Sequence, residues 1–446
     1  MESTPCDHIL RAAWLITQDD DRSVLEDAGV AISCGRVAGV GPWQDISRSF
    51  SGDELLPDRE LLVMPGLINA HTHAPMTLFR GLADDLPLMD WLHAYIFPVE
   101  QAHSPDSVYH GALLACAEMT RFGVTTFCDM HFMAEHVWKA ADHSGLRGLP
   151  GEAIFGFPNP SYAKFEEACS NIERLWLYWD SCESRRIKPI LAPHSVYTTT
   201  PEMLQTTYEY AESFDTIWKI HLAETQAETA ECLQKHGKRP LAYIDSLGCL
   251  GERTVIAHGV DLEPEEMERI AAAGAGVVHC PKSNMKLASG VAPMPAMRAH
   301  GVRTALGTDG AASNNTLGMF SEMRYAALLH KAHTMDATVM GAQSVLDMAT
   351  REGARTLRMD EGLGTVTPGA PADLIALDLT RPNLRPCYNP VSHAVYAAEG
   401  GEVCLTMVDG EVLYKDGAFT RIDYPALLDS IRSLGGWVRE TGRGSA

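Results

Sequence analysis

Residues 64–73 read MPGLINAHTH, an apolar run that ends in the pair His71 and His73. The run extends back to Leu61, and LLVMPGLI (61–68) has the length and composition of a buried strand. In an extended segment, positions i and i+2 point to the same side, so both imidazoles can face one ion. A lone His-x-His pair is common. Its meaning depends on what the rest of the chain brings to it.

Seven further strand candidates follow: GVTTFCDM (123–130), LRGLPGEAIF (146–155), IKPILAP (187–193), TIWKIHL (216–222), TVIAHG (254–259), AGVVHC (275–280) and RTALGTD (303–309). Amphipathic runs such as VYHGALLACAEMTRF and PEMLQTTYEYAESF separate them, and SEMRYAALLHKAH follows the eighth. This alternation predicts βα repeats around a parallel sheet, and eight repeats predict an α/β chain closed into a (β/α)₈ (TIM) barrel. An open doubly wound sheet is the rival. No Gly-x-Gly-x-x-Gly follows the first strand, which argues against a dinucleotide crevice.

The chain ends have another texture. Residues 8–60 and 372–419 carry short strands and turn pairs such as Asp409-Gly410 and Asp416-Gly417. The two ends are expected to join into one small β-sandwich. The expected division is 1–60 plus 372–420 for that domain, 61–371 for the barrel and 421–446 for a C-terminal helix with a polar tail.

The 446 residues include 36 basic and 58 acidic ones, a formal net charge of −22. Such a surface repels nucleic acid and anionic membranes. No stretch of about eighteen apolar residues occurs, and the start of the chain has no leader pattern. The 11 cysteines are scattered, odd in number and without a Cys-x-x-Cys pair. They are expected to be buried, reduced thiols of a cytoplasmic protein.

In a βα barrel the reacting groups gather at the C-terminal ends of the strands. Here those ends deliver His71 and His73, then His194, His221 with Glu224, His258 and Asp309. His71, His73, His221 and Asp309 form an N₃O set suited to one divalent ion. Zn²⁺ is the first expectation, with Fe²⁺ and Mn²⁺ also suited. Such an ion lowers the pKa of water toward neutrality. Glu224, three residues past His221, can shuttle a proton, and His258 can hold the water. A lone histidine at a strand end is more often structural, and Asp309-Gly310 alone could be a turn; five groups in barrel register argue otherwise. His131 and His279 are ambiguous and stay outside the metal set. His93, His103, His110 and His143 are placed on helices or loops. Cys280 is expected at a buried strand end, and Ser195 lacks a Gly-x-Ser-x-Gly elbow.

With these motifs in order, the chain resembles the amidohydrolase superfamily, most closely its branch of 5′-methylthioadenosine/S-adenosylhomocysteine deaminases. The resemblance spans residues 8–420. It rests on MPGLINAHTHAPMTLFRGLADDLPLMDWL (64–92), LAPHSVYT (191–198), HLAET (221–225), AHG (257–259), HCPKSNMKLASG (279–290) and GTDGAASNN (307–315). Two-metal relatives carry a carboxylated lysine at the end of the fourth strand. Here that end reads Ala192-Pro193-His194, and Lys188 lies at the opposite end, so a single ion is expected.

The resemblance implies hydrolytic deamination of a small nucleoside: an activated water adds to C6 of an adenine ring and ammonia leaves. Glu224 would protonate N1, Asp309 would take the proton of the water, and His258 would orient it. Glu100 would bind the ribose hydroxyls, His194 would contact substrate, and Trp91 would wall the pocket near the 5′ substituent. Some relatives place arginines after the third strand, where a homocysteine tail would lie. Residues 151–167, GEAIFGFPNPSYAKFEE, contain none, which favours an uncharged 5′ group. Other rings (guanine-like, pterin or triazine) remain open at this point, as does a non-catalytic barrel. Barrels of this kind often form homo-oligomers, but the sequence fixes no oligomeric state.

Overall fold

The computed structural model describes residues 3–86, 88–359 and 361–443. Eight parallel strands form the barrel: β1 (Leu67–Thr72), β2 (Val124–His131), β3 (Arg147–Ile154), β4 (Ile190–Pro193), β5 (Trp218–Leu222), β6 (Thr254–His258), β7 (Gly276–His279) and β8 (Arg303–Leu306). Each pairs with the next in chain order. Seven of the eight expected strands are present, with ends displaced by no more than three residues. Ile68, Cys128, Leu149, Ile190, Val255, Val278 and Ala305 fill the interior from seven of them.

The seam between β8 and β1 closes at the end that carries the histidines. Asp309 N–H donates to His71 O (2.9 Å), and Thr308 N–H donates to the Asn69 side chain (3.0 Å). Gly307 permits this approach: a Cβ there would lie 2.8 Å from the His71 backbone nitrogen.

The first expected strand needs correction. Residues 61–68 are not one barrel strand, and the barrel does not begin at Leu61. Leu61–Pro65 runs antiparallel to Leu374–Asp378 in the other sheet, and only Leu67 opens β1. The switch takes one residue: Gly66 N–H donates to Asp373 O and Leu67 N–H to Gly123 O, both at 2.9 Å. Gly66 is forced, because a Cβ would lie 2.1 Å from Thr125. Both halves of the run are fully buried. An unbroken apolar run therefore conceals the change of sheet.

Both chain ends build the second sheet, as expected. Nine strands hydrogen-bond into one sheet, with Leu61–Pro65 and Leu374–Asp378 joining the two contributions. Leu10, Val30, Leu374 and Met407 share one apolar core, so the sheet curls onto itself. Asp409-Gly410 and Asp416-Gly417 make its hairpin turns, all four residues at positive φ. Arg147 on β3 ties the barrel to this sheet through Asp373 and Asp409.

The C-terminal helix is longer than expected. It runs over Tyr424–Arg443, straight through Gly435-Gly436, where a polar tail was expected. Among the described residues no helix is long and apolar enough to cross a membrane. Six cysteines are buried, four are partly buried, and Cys34 is exposed, so burial holds for only part of the set.

Candidate active site

Four strand ends aim their polar atoms at one point. His71 Nε2 and His73 Nε2 lie 3.3 and 3.2 Å from Asp309 Oδ1, and His73 Nε2 lies 3.2 Å from His221 Nε2. One ligating atom from each of His71, His221, His258 and Asp309 falls within 4.8 Å of the others. His258 thus stands nearer the cluster than its expected water-holding role required. His258 and Asp309 both adopt left-handed backbone, φ 75° and 62°. Non-glycine residues rarely do so, and such strain concentrates at functional sites.

Outer contacts set the direction of His73, His221, His258 and Asp309. His73 Nδ1 donates to Met130 O (2.6 Å), His221 Nδ1 to His194 O (2.8 Å) and His258 Nδ1 to Asn284 Oδ1 (2.9 Å). With the proton on Nδ1, each ring turns an Nε2 lone pair inward. Asp309 Oδ2 accepts from Ser283 Oγ (2.6 Å) and Ser313 Oγ (2.9 Å), which leaves Oδ1 facing the imidazoles. Both His71 nitrogens are buried without a hydrogen-bond partner. Facing lone pairs 3.2 Å apart repel unless a cation sits between them. The residues therefore fit a divalent ion. Burial holds His71 and His221 well below the usual imidazole range, which keeps them in the neutral, ligating form. Burial pushes Asp309 up, but its contacts with His71 and His73 outweigh that and hold it well below the carboxylate range.

Glu224 stands beside this cluster, its Oε2 3.8 Å from His258 Nε2 and its Oε1 3.4 Å from Ser289 Oγ. Burial raises its pKa. Its backbone is pinned by Glu228, whose carboxylate accepts from Ala223 N–H (3.0 Å) and Glu224 N–H (2.7 Å).

The same cavity continues to Glu100. This residue ends the segment Leu88–Glu100, two short helical turns joined by a wide π turn over Leu92–Ile96. Pro98 lacks an N–H and crowds the carbonyl four residues back, which accounts for the widening. Glu100 Oε1 lies 3.7 Å from His131 Nε2, a buried nitrogen with no hydrogen-bond partner. Burial pushes Glu100 to about 7. Trp91 lines the cavity, with its Nε1 donating to Ala83 O (3.2 Å). His194 stacks on Phe155 at 4.4 Å and sits 4.7 Å from the His221 ring.

Every site residue read from the sequence except His71 lines this one cavity, and His71 lies fully buried against Asp309. Several residues around this cavity were not read. His131 is the last residue of β2 but carried no second signal. Ser283, Asn284 and Ser289 stand in the HCPKSNMKLASG motif, and Glu228 lies four residues past Glu224. Lys219 precedes His221 by two and so shares its face. Fully buried, its Nζ donates to Ala70 O and Cys128 O (both 3.1 Å), tying the strands beneath His71. His103 was expected on a helix or loop; it lies between helices, and it is buried, with an unpartnered Nε2. His279 pairs with His330 (Nε2–Nε2 3.1 Å). Cys280 is buried, which raises its thiol well above its usual value.

Comparison with known proteins gives a consistent picture. A model of the Amidohydrolase family matches residues 62–413. A 5-methylthioadenosine/S-adenosylhomocysteine deaminase of Nitratidesulfovibrio vulgaris is 53% identical over 97% of this chain and 98% of its own length. A 5′-deoxyadenosine deaminase of Methanothermobacter thermautotrophicus is 41% identical over 89% of this chain and 91% of its own. The crystal structure of an adenosine deaminase from Xanthomonas campestris with bound zinc superimposes with a TM-score of 0.95 at 37% identity, covering 98% of this chain and all of that one. By the matched span and by relatives this similar end to end, the chain belongs to the amidohydrolase family.

Proposed function

We propose that this protein is a metal-dependent aminohydrolase that converts 5′-modified adenosines, such as 5′-methylthioadenosine, S-adenosylhomocysteine or adenosine itself, to the inosine analogues and ammonia. The observation that carries the reading is one cavity with two chemically distinct poles. At one pole inward lone pairs of His71, His73 and His221 meet Asp309, with Glu224 alongside. At the other, Glu100 and His131 offer two acceptors, a match for the paired hydroxyls of a ribose.

A divalent ion held by His71, His73, His221 and Asp309 would polarise a water and lower its pKa toward neutrality. Zinc is the ion proposed, on the donor set and on the zinc in the Xanthomonas campestris structure. His258 Nε2 orients the attacking water and Asp309 Oδ1 takes its proton. Glu224, shielded from solvent, passes a proton to the ring nitrogen beside the attacked carbon and then to the leaving amine. His194 and Trp91 confine the substrate. The described lining holds no lysine or arginine, and Phe132, Ala153 and Phe155 make it apolar. That supports an uncharged 5′ group over a free carboxylate. A cytoplasmic location is part of the proposal, supported by the unpaired cysteines.

Incubating the metal-loaded protein with 5′-methylthioadenosine, S-adenosylhomocysteine and adenosine, and following ammonia, tests the reading. Turnover of at least one is expected; turnover of none sinks it. If Glu100→Ala harms free bases as much as nucleosides, the ribose assignment is wrong.

A further inference from the structure

The C-terminal helix Tyr424–Arg443 lies outside the span matched by the family. Its 20 residues reach about 30 Å. Tyr424 shares a cleft with Arg121 and Phe122, at the end of the helix Pro105–Arg121. Trp437 lies against His103, just before the start of that same helix, with ring centroids 5.7 Å apart. The C-terminal helix thus runs back along Pro105–Arg121 and arrives at the mouth of the barrel. There Val438 is buried in one apolar cluster with Met76, Phe79, Trp91, Leu92 and Ile96, and Trp437 packs against it.

Those partners matter because Leu92, Ile96, Phe97 and Glu100 wall the cavity. They belong to the segment with the π turn, which pairs with no strand. From Trp437 a line of rings leads inward: His103 lies 5.2 Å from His131, and His131 lies 3.7 Å from Glu100. Each ring is anchored at Nδ1, His103 to Ser107 Oγ (2.8 Å) and His131 to Phe132 O (3.2 Å), while both Nε2 atoms are buried without hydrogen-bond partners, so packing sets the tilt of each ring on its inner side.

We infer that the last turns of the C-terminal helix position the substrate-binding wall: Trp437 and Val438 hold His103 and the segment Leu88–Glu100, and through them Glu100 and His131. Trp437 is a positioning residue, since it touches the wall and not the reacting atoms.

The test uses full-length, metal-loaded protein and two readouts. Hydrogen exchange of the amides in residues 88–103 is expected to quicken about tenfold in Trp437→Ala while the helix Pro201–Ser213 keeps its protection. The second readout rests on the proposed nucleoside reading: KM for 5′-methylthioadenosine is expected to rise about tenfold with kcat within about threefold. Trp437→Phe keeps a ring at the contact and should restore most of both. Leu427→Ala, in the same helix but packed into the main core, is the control. It should lower the melting temperature while leaving exchange in 88–103 and KM within about twofold. Unchanged exchange in both Trp437 variants would overturn the proposal, as would Leu427→Ala reproducing the effect. If the wild type deaminates no nucleoside, the proposed function falls, and the exchange arm still decides this inference.

Discussion

The two poles of the cavity are built from different material. The histidine pole, which fits a metal ion, stands on strand ends, where ladder hydrogen bonds fix the backbone and a second ring of donors and acceptors fixes His73, His221, His258 and Asp309. The Glu100 pole hangs on a short helical segment with a π turn, held by apolar packing from below and from the end of the chain. A rigid frame suits the pole where charge develops during reaction. A softer one suits the pole proposed to grip the substrate. The comparison assigns different failures to the two ends, and substitutions can break it.

The largest effect is expected at Asp309. Asp309→Asn should lower kcat/KM by on the order of 10⁴ and leave the purified protein short of stoichiometric metal. Retained metal with near-normal rate would remove Asp309 from the set. Glu224→Gln should lower kcat by about 10³ with metal content and KM little changed. A rise in KM with intact kcat would make Glu224 a binding group only.

At the other pole the effects should be smaller and of another kind. Glu100→Gln should raise KM for nucleosides about tenfold or more and spare kcat. The wild-type KM should itself fall as pH rises through about 7, because the ionised carboxylate is the better acceptor for hydroxyls. Stability should run the opposite way. Burial raises Glu100 from 4.5 to about 7 in the folded chain, so its contribution is full below pH 4.5 and is lost as pH rises through 7. Glu100→Gln should flatten that part of the melting-temperature profile, and an unchanged profile would show that Glu100 does not titrate there. Ser283→Ala removes one of two hydroxyls from Asp309 Oδ2 and should weaken metal affinity about tenfold, read by chelator competition.

The same contrast explains what could be read from the chain. His71, His73, His221 and Asp309 were legible because a strand alternates its faces and a barrel collects strand ends on one side. Glu224 and His258 came with them. His194 was read as a strand end, but its substrate role, like Glu100 and Trp91, came only through resemblance, since no periodicity ties a helical turn to strand ends distant in the chain. The passage of the chain from one sheet to the other at Gly66 was hidden by equal burial on both sides. The reach of the C-terminal helix was hidden by Gly435-Gly436, two residues that cost a helix about 1 kcal/mol each and so read as its end. His131 stayed ambiguous, because its proposed role depends on Glu100 arriving beside it from another part of the fold.

The most direct measurement is the structure of the metal-loaded protein with an inosine product, 5′-methylthioinosine, bound in the cavity. The account predicts one ion on His71, His73, His221 and Asp309, the ring oxygen beside it, Glu224 at the adjacent ring nitrogen, and both ribose hydroxyls on Glu100 and His131. A ribose bound away from Glu100, or a ring turned away from the histidine cluster, would contradict it.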